Sequence, residues 1–350
     1  MYYINPNFVA TERVFPQQGR TGYLKLDMNE NVSGLPQEFI DEFKERITPE
    51  FLYTYPEPQH FEKSYERFMG IDSGMAMATN GSDMAIRYAF ETFGEQGKDV
   101  VTVSPSFEMY RINAKLLGMN HKAVGYNDDL TINMEEIVSS IDCNTRIVVL
   151  LNPNNPIGNI YEESEVRRII EKAEENNAVV IIDEAYYYFC DQTFVKMAQE
   201  YPNVMVFRTF SKLFAMAACR LGVIIANPEM IGWLKRGKLT FDVNSVALLL
   251  GEMVIDRPEM IEKMVHQAKE GKEYLLARLS EKGYKTRWCE GNYVFVYPKG
   301  NVKDVEKKLV ERNILVKTYS NPLLSDVIRV TTASKNIMDE FLDVFFEVDK

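Results

Sequence analysis

Through the first two thirds of the chain, short apolar runs rich in Val and Ile alternate with longer segments whose apolar residues recur every three to four positions. That alternation builds strand–helix–strand units and closes them into an α/β fold around a parallel sheet. Residues 99–103, 146–151, 179–182, 204–207 and 221–226 read as strands, and their unbroken Val/Ile content predicts strands covered on both faces. Between the second and third, residues 162–177 place Val166, Ile169, Ile170 and Ala173 on one helical face, which predicts a crossover helix.

After about residue 250 the pattern changes. A long helix is expected from Pro258, then two short strands around Thr286 and Tyr293, a helix over 302–313, strands over 314–318 and 327–331, and a last helix from Asn336. A chain of 350 residues is too long for one core. The expected division is an N-terminal arm over 1–25, a large domain with a mostly parallel, helix-covered sheet over 26–250, and a small α+β C-terminal domain over 251–350.

With 40 basic against 51 acidic residues the chain carries a net charge of −11, which repels a polyphosphate backbone and an anionic membrane surface. Neither nucleic acid nor membrane is an expected partner. Cys143, Cys190, Cys219 and Cys289 are scattered, and His60, His121 and His266 fall in no metal-binding spacing, so neither a disulfide framework nor a metal site is expected. Residues 1–20 hold no apolar core of a signal peptide and no apolar run is long enough to span a bilayer. A cytoplasmic protein is expected.

The familiar dinucleotide and Walker phosphate loops are absent. Another cradle is available at Thr79-Asn80-Gly81-Ser82-Asp83-Met84, where Gly81 permits a tight turn and the N–H groups of Gly81, Ser82 and Asp83 open a helix. Ordinary helix capping would explain that segment alone. Three further segments each follow a predicted strand: Asn152-Pro153-Asn154-Asn155-Pro156-Ile157-Gly158, Asp183-Glu184-Ala185-Tyr186, and Arg208-Thr209-Phe210-Ser211-Lys212 with Arg220 beyond it. In a parallel sheet the carboxyl ends of the strands are where ligands bind. Amide, carboxylate, phenol, ammonium and guanidinium groups are thereby delivered to one rim.

These segments, together with Leu26-Asp27-Met28-Asn29-Glu30-Asn31, Tyr55-Pro56-Glu57-Pro58 and Ile328-Arg329-Val330-Thr331, resemble the fold-type I pyridoxal-phosphate aminotransferases, and within them the histidinol-phosphate aminotransferase group. The resemblance spans nearly the whole chain. It implies pyridoxal 5'-phosphate as cofactor of the large domain, with Lys212 as its Schiff-base lysine. Thr209, Ser211 and Arg220 then bind the cofactor phosphate beside the backbone of Gly81, Ser82 and Asp83. Asp183 becomes the partner of the pyridine nitrogen, and Asn155 and Tyr186 the hydrogen-bond partners of the ring hydroxyl. Tyr110 matches the aromatic stacked on the ring face, with Phe107 as its rival. Tyr55 matches a residue that reaches the cofactor phosphate of the other subunit, which implies a homodimer with shared sites. Arg329 matches the clamp on the substrate α-carboxylate.

Departures bear on the substrate. Lys317 stands where the group usually carries an arginine for the distal phosphate, so a charge survives and the bidentate fork does not. Ala218-Cys219 replaces the usual Gly-Leu, and Phe241-Asp242-Val243-Asn244-Ser245 departs from a Pro-rich stretch. The expectation is an aminotransferase acting on small amino and oxo acids, with glutamate as donor and a phosphorylated or dicarboxylate partner, in which Lys212 shuttles a proton with Asp183 and Tyr186 in support. The alternatives are a decarboxylase of a phosphorylated amino acid on the same fold, and a non-catalytic ligand-sensing module. Lys212, Asp183, Arg220 and Arg329 argue against the last.

Overall fold

A computed structural model describes the chain except residues 1, 14 and 16–18. Twelve strands occur among the described residues: β1 (Leu24–Lys25), β2 (Ala76–Asn80), β3 (Asp99–Ser104), β4 (Asn120–Gly125), β5 (Thr145–Leu151), β6 (Val179–Asp183), β7 (Val204–Thr209), β8 (Leu221–Ala226), β9 (Lys285–Trp288), β10 (Tyr293–Tyr297), β11 (Ile314–Leu315) and β12 (Ile328–Thr331). Seven form the central sheet in the order β2-β8-β7-β6-β5-β3-β4. All of its strands run parallel except β8, which pairs antiparallel with both β2 and β7.

Alternation along the strands explains why both faces are covered. Val148, Leu150, Val180, Ile182, Val204 and Val206 feed one apolar layer, while Ile147, Val149, Leu151, Ile181, Met205 and Phe207 feed the other. The crossover helix, Glu163–Glu175, buries the expected stripe Val166, Ile169, Ile170 and Ala173. The helix Gly81–Phe93 buries Ala85, Ile86, Ala89 and Phe90 against the opposite layer.

The C-terminal part forms an antiparallel sheet, β12-β10-β9, packed with the helices Val302–Glu311 and Lys335–Val348 around Val294, Val296, Leu309, Phe341, Leu342 and Phe345. Two features link the two parts. Leu24 and Lys25 pair in parallel with Ile314 and Leu315, and Leu26 is wholly buried in this same core, so the chain near residue 26 belongs to the small unit. The cause is local: Leu24 and Leu26, two residues apart on an extended chain, turn the same way, and the small unit's core receives both. The helix Pro258–Glu281 serves both parts, with Ile261 and Met264 in the large core and Leu275 and Leu279 in the small one.

Candidate active site

The carboxyl ends of β2, β3, β5, β6 and β7 lie on one edge of the sheet, and β8, being reversed, begins there. That topology collects side chains distant in sequence. Gly222 pairs with Thr79 on one side and Thr209 on the other, which sets Gly81, Thr209 and Arg220 about one point.

At that point the backbone is shaped for an anion. Gly81 has φ +73°, and a Cβ there would collide with the Arg220 guanidinium. A Cβ on Gly222 would stand 2.7 Å from the Gly81 carbonyl carbon and from the Ser82 nitrogen. Asn80 gives the helix no side-chain cap, so its first N–H groups keep their donors for another acceptor. Arg220, itself left-handed at φ +60°, is steered by Asp83 Oδ2 at 2.9 Å and the Ala217 carbonyl at 3.2 Å. The Ser211 N–H donates to Thr209 Oγ1 at 3.2 Å, which fixes the Thr209 hydroxyl at the same rim.

Beside the cradle stands Asp183, 2% exposed. Burial pushes its carboxyl up to about 6, against hydrogen bonds from the Tyr110 phenol, 2.8 Å, and the Ala185 N–H, 3.1 Å, which favour the charged form. A buried carboxylate with a raised pKa at a strand end marks a functional site. Lys212 follows β7, and its Nζ donates to the Met28 carbonyl at 3.0 Å and lies 5.6 Å from the centre of the Tyr186 ring. The Tyr186 hydroxyl accepts from Asn29 Nδ2 at 2.9 Å.

Arg329 closes the site from the small unit. Its Nη1 donates to Asn155 Oδ1 at 2.6 Å and its Nη2 to the Asp27 carbonyl, while its guanidinium lies 5.2 Å from the centre of the Tyr293 ring. Among the described residues, the Arg329 Nε and the Tyr319 hydroxyl are buried without hydrogen-bond partners. Buried donors of this kind ask for an acceptor such as a carboxylate. Lys317 pairs with Arg329 through two backbone hydrogen bonds, 2.8 and 3.1 Å, so the two side chains project from the same face, Arg329 buried and Lys317 exposed. Like charges facing each other across strands repel, and a bridging anion relieves the repulsion.

Of the residues singled out from the sequence, Gly81, Ser82, Asp83, Thr209, Ser211 and Arg220 gather at the cradle, and Asn155, Asp183, Tyr186, Lys212 and Arg329 gather beside it. Tyr110, expected on a ring face, donates its phenol proton to Asp183. It is fully buried, with its phenol on Asp183, because a buried hydroxyl must find an acceptor. Its rival Phe107 meets it edge to face at 5.8 Å and keeps part of its ring exposed. Tyr55 does not join the cluster of its own chain. It is 71% exposed and stacks on Phe241 at 4.3 Å. The sequence reading assigned no roles to Asn29, Tyr293 and Tyr319. The segment Leu26–Asn31 was visible as a motif, but its hydrogen bonds to Lys212, Tyr186 and Arg329 span more than 150 residues and leave no periodic trace.

The residues present fit a phosphate-bearing aromatic cation held against a lysine. A glycine cradle that a Cβ would fill, an uncapped helix start and a buried carboxylate are the donor and acceptor set such a group requires. Residues 21–345 match the family model described as aminotransferase class I and II. The chain is 32% identical over 329 residues, 93% of its length and 92% of the relative's, to the histidinol-phosphate aminotransferase of Caldanaerobacter subterraneus subsp. tengcongensis. It is 29% identical over 327 residues, covering 92% and 91% of the two chains, to that of Clostridium novyi. In fold it is similar to the crystal structure of histidinol-phosphate aminotransferase from Sinorhizobium meliloti in complex with pyridoxal-5'-phosphate, with a TM-score of 0.88 over 99% of this chain and 98% of that one, at 18% identity.

Proposed function

The chain belongs to the class I and II aminotransferases, of fold type I and dependent on pyridoxal phosphate, and we propose that it moves an amino group between glutamate and a small phosphorylated oxo substrate of the kind its histidinol-phosphate aminotransferase relatives are named for. The observation that carries the reading is the meeting of Lys212, Asp183 and Arg329 at the carboxyl edge of one sheet, beside a cradle built for phosphate.

When bound, the cofactor supplies an electrophilic carbonyl and a cationic ring that draws electrons from the substrate Cα. The backbone of Gly81, Ser82 and Asp83, the hydroxyls of Thr209 and Ser211, and Arg220 hold its phosphate. Asp183 keeps the ring nitrogen protonated, and Tyr110 holds Asp183 in place from behind. Phe107 takes the ring face. Asn155 and Tyr186 hold the ring oxygen. The Lys212 amine takes the proton from the substrate Cα and returns it on the far side of the transfer. Arg329 fixes the α-carboxylate that decides which Cα bond faces the lysine. The test is incubation of the purified enzyme with histidinol phosphate and 2-oxoglutarate. Glutamate formation is expected; release of carbon dioxide from a phosphorylated amino acid such as phosphothreonine, offered in parallel, with no glutamate formed from histidinol phosphate, would overturn the reading in favour of decarboxylation.

Lys317 is assigned the second anion, since it lies across from Arg329 on the same face of the strand pair. A charge-assisted hydrogen bond contributes about 1.5–3 kcal/mol. Lys317→Ala is expected to lower kcat/KM roughly ten- to a hundredfold on glutamate and on a phosphorylated amino acid, and to leave alanine nearly unchanged. Equal losses on all three substrates would remove Lys317 from the site.

The working unit is a homodimer in the cytoplasm. Tyr55, Phe241, Leu52, Tyr53 and Leu239 are each at least half exposed, an apolar surface suited to a second copy, and the four cysteines are free thiols. Tyr55 then reaches the partner's cofactor phosphate. Mixing inactive Tyr55→Ala and Lys212→Ala proteins under conditions of subunit exchange is expected to restore activity, because each hybrid dimer holds one intact site. Exchange without recovery would mean that the site is not shared.

A further inference from the structure

Three consecutive residues of the segment entering from the small unit each address a different group of the site. The Asp27 carbonyl accepts from Arg329, the Met28 carbonyl from Lys212, and Asn29 donates to Tyr186. Asn29 is the member that does so through its side chain. It is 1% exposed and left-handed at φ +58°, a conformation asparagine tolerates better than most residues but still sparsely. Strain of this kind persists where the surroundings over-determine it, and four contacts do so here. Asn29 N–H donates to Thr331 Oγ1 at 3.0 Å, Thr331 Oγ1 donates to Asn29 Oδ1 at 3.3 Å, Asn292 Nδ2 donates to the Asn29 carbonyl at 3.0 Å, and Asn29 Nδ2 donates to the Tyr186 hydroxyl at 2.9 Å.

The direction of the last bond carries the inference. An amide nitrogen only donates, so the Tyr186 oxygen spends an acceptor position on Asn29 and its own proton must point elsewhere. Thr331 fixes that direction by occupying Asn29 Oδ1, which holds the amide in the orientation that presents Nδ2 to the phenol. We propose that Asn29 is a positioning residue that makes Tyr186 an obligate hydrogen-bond donor toward the cofactor ring oxygen, and that Thr331, two residues from Arg329 on β12, ties this setting to the strand that holds the substrate carboxylate. The proposal rests on the pyridoxal-phosphate reading of the site. Lys212, Arg329 and the phenols of Tyr110, Tyr293 and Tyr319 are the other charged or titratable groups that couple to Tyr186. None of them touches Asn29 through a side-chain hydrogen bond, so exchanging the amide leaves their contacts in place.

A donor on the ring oxygen drains negative charge that otherwise favours the protonated lysine–cofactor linkage, and losing it raises the pKa of that linkage. Asn29→Asp keeps the shape and the left-handed backbone but replaces the donor by an acceptor, which would draw the Tyr186 proton to itself. Asn29→Gly keeps the backbone and removes the amide. In the reconstituted holoenzyme, titration of the visible absorbance between pH 5 and 10 is expected to show an upward shift of about one unit for Asn29→Asp and a smaller one in the same direction for Asn29→Gly. On a Tyr186→Phe background neither change should shift the titration further, because coupled positions are not additive. Asn29 variants that titrate with the wild type while Tyr186→Phe shifts, or shifts that add in the double variants, would overturn the positioning role. A wild type that shows no lysine-bound chromophore would overturn the cofactor reading beneath it.

Discussion

Lys212→Ala is expected to give a folded protein that binds pyridoxal phosphate without a covalent link and turns over at least roughly 10²–10⁴ times more slowly than the wild type, the range that a positioned acid–base group contributes. Folding should survive because, among the described residues, the side chain makes one hydrogen bond, to the Met28 carbonyl, worth about 1 kcal/mol. Borohydride reduction of the wild type, followed by peptide mass mapping, should place the label on Lys212. The rival is Lys272, whose amine burial lowers to about 8, a value that suits a nucleophile. Its Nζ is committed to the carbonyls of Cys289 and Gly291 and lies 3.8 Å from the centre of the Trp288 ring. That setting fixes a turn of the small unit and leaves no approach for a carbonyl substrate. Label on Lys272, or on both lysines, would sink the assignment of Lys212.

What could be read in the sequence follows from where the information sits. β5, β6 and β8 are rich in Val, Ile and Leu and β7 opens Val-Met-Val-Phe, all buried on both faces, and local composition suffices to mark them. β4 carries His121 and Lys122 on an exposed edge, and β2 reads Ala-Met-Ala-Thr-Asn with little β-branched content, so neither declares itself. β2 and β8 form the wall that brings Gly81 to Arg220, so the motifs at the rim were legible while the pairing that joins them was not. The pairing near residue 26 escaped for the same reason: β1 is two residues long and exists through its pairing with β11, 290 positions away. Tyr110 and Phe107 could not be told apart from the sequence because both are aromatic and three residues apart. Only burial assigns one of them to Asp183.

Asp183→Asn should separate function from stability more cleanly than any other change. The carboxyl is buried, and burial raises its pKa from an ordinary 3.8 to about 6 despite the hydrogen bonds from Tyr110 and the Ala185 N–H. An acid whose folded pKa lies above its unfolded one binds more protons when folded, so the cofactor-free protein loses stability as pH rises from about 4 through about 6. A shift of that size corresponds to about 3 kcal/mol at neutral pH, carried as a buried charge in the absence of a counterion. Asparagine has nothing to ionise, and its side-chain oxygen still accepts from Tyr110; its amide nitrogen then faces the Ala185 N–H, and the bond lost there, about 1 kcal/mol, offsets only part of the gain. Cofactor-free Asp183→Asn is therefore expected to unfold at a higher temperature than the wild type at pH 7, with the advantage gone by about pH 4, where the wild-type carboxyl is neutral and keeps both hydrogen bonds. Catalysis should move the opposite way. An amide cannot hold a proton on the ring nitrogen, and loss of such an electrostatic contact costs on the order of a hundredfold or more in turnover. Thermal unfolding of the cofactor-free proteins between pH 4 and 8, set beside kcat for amine transfer, tests both halves. A variant with near-normal turnover would place the electron-withdrawing role elsewhere, and a variant less stable at pH 7 would mean that Asp183 is a structural carboxylate.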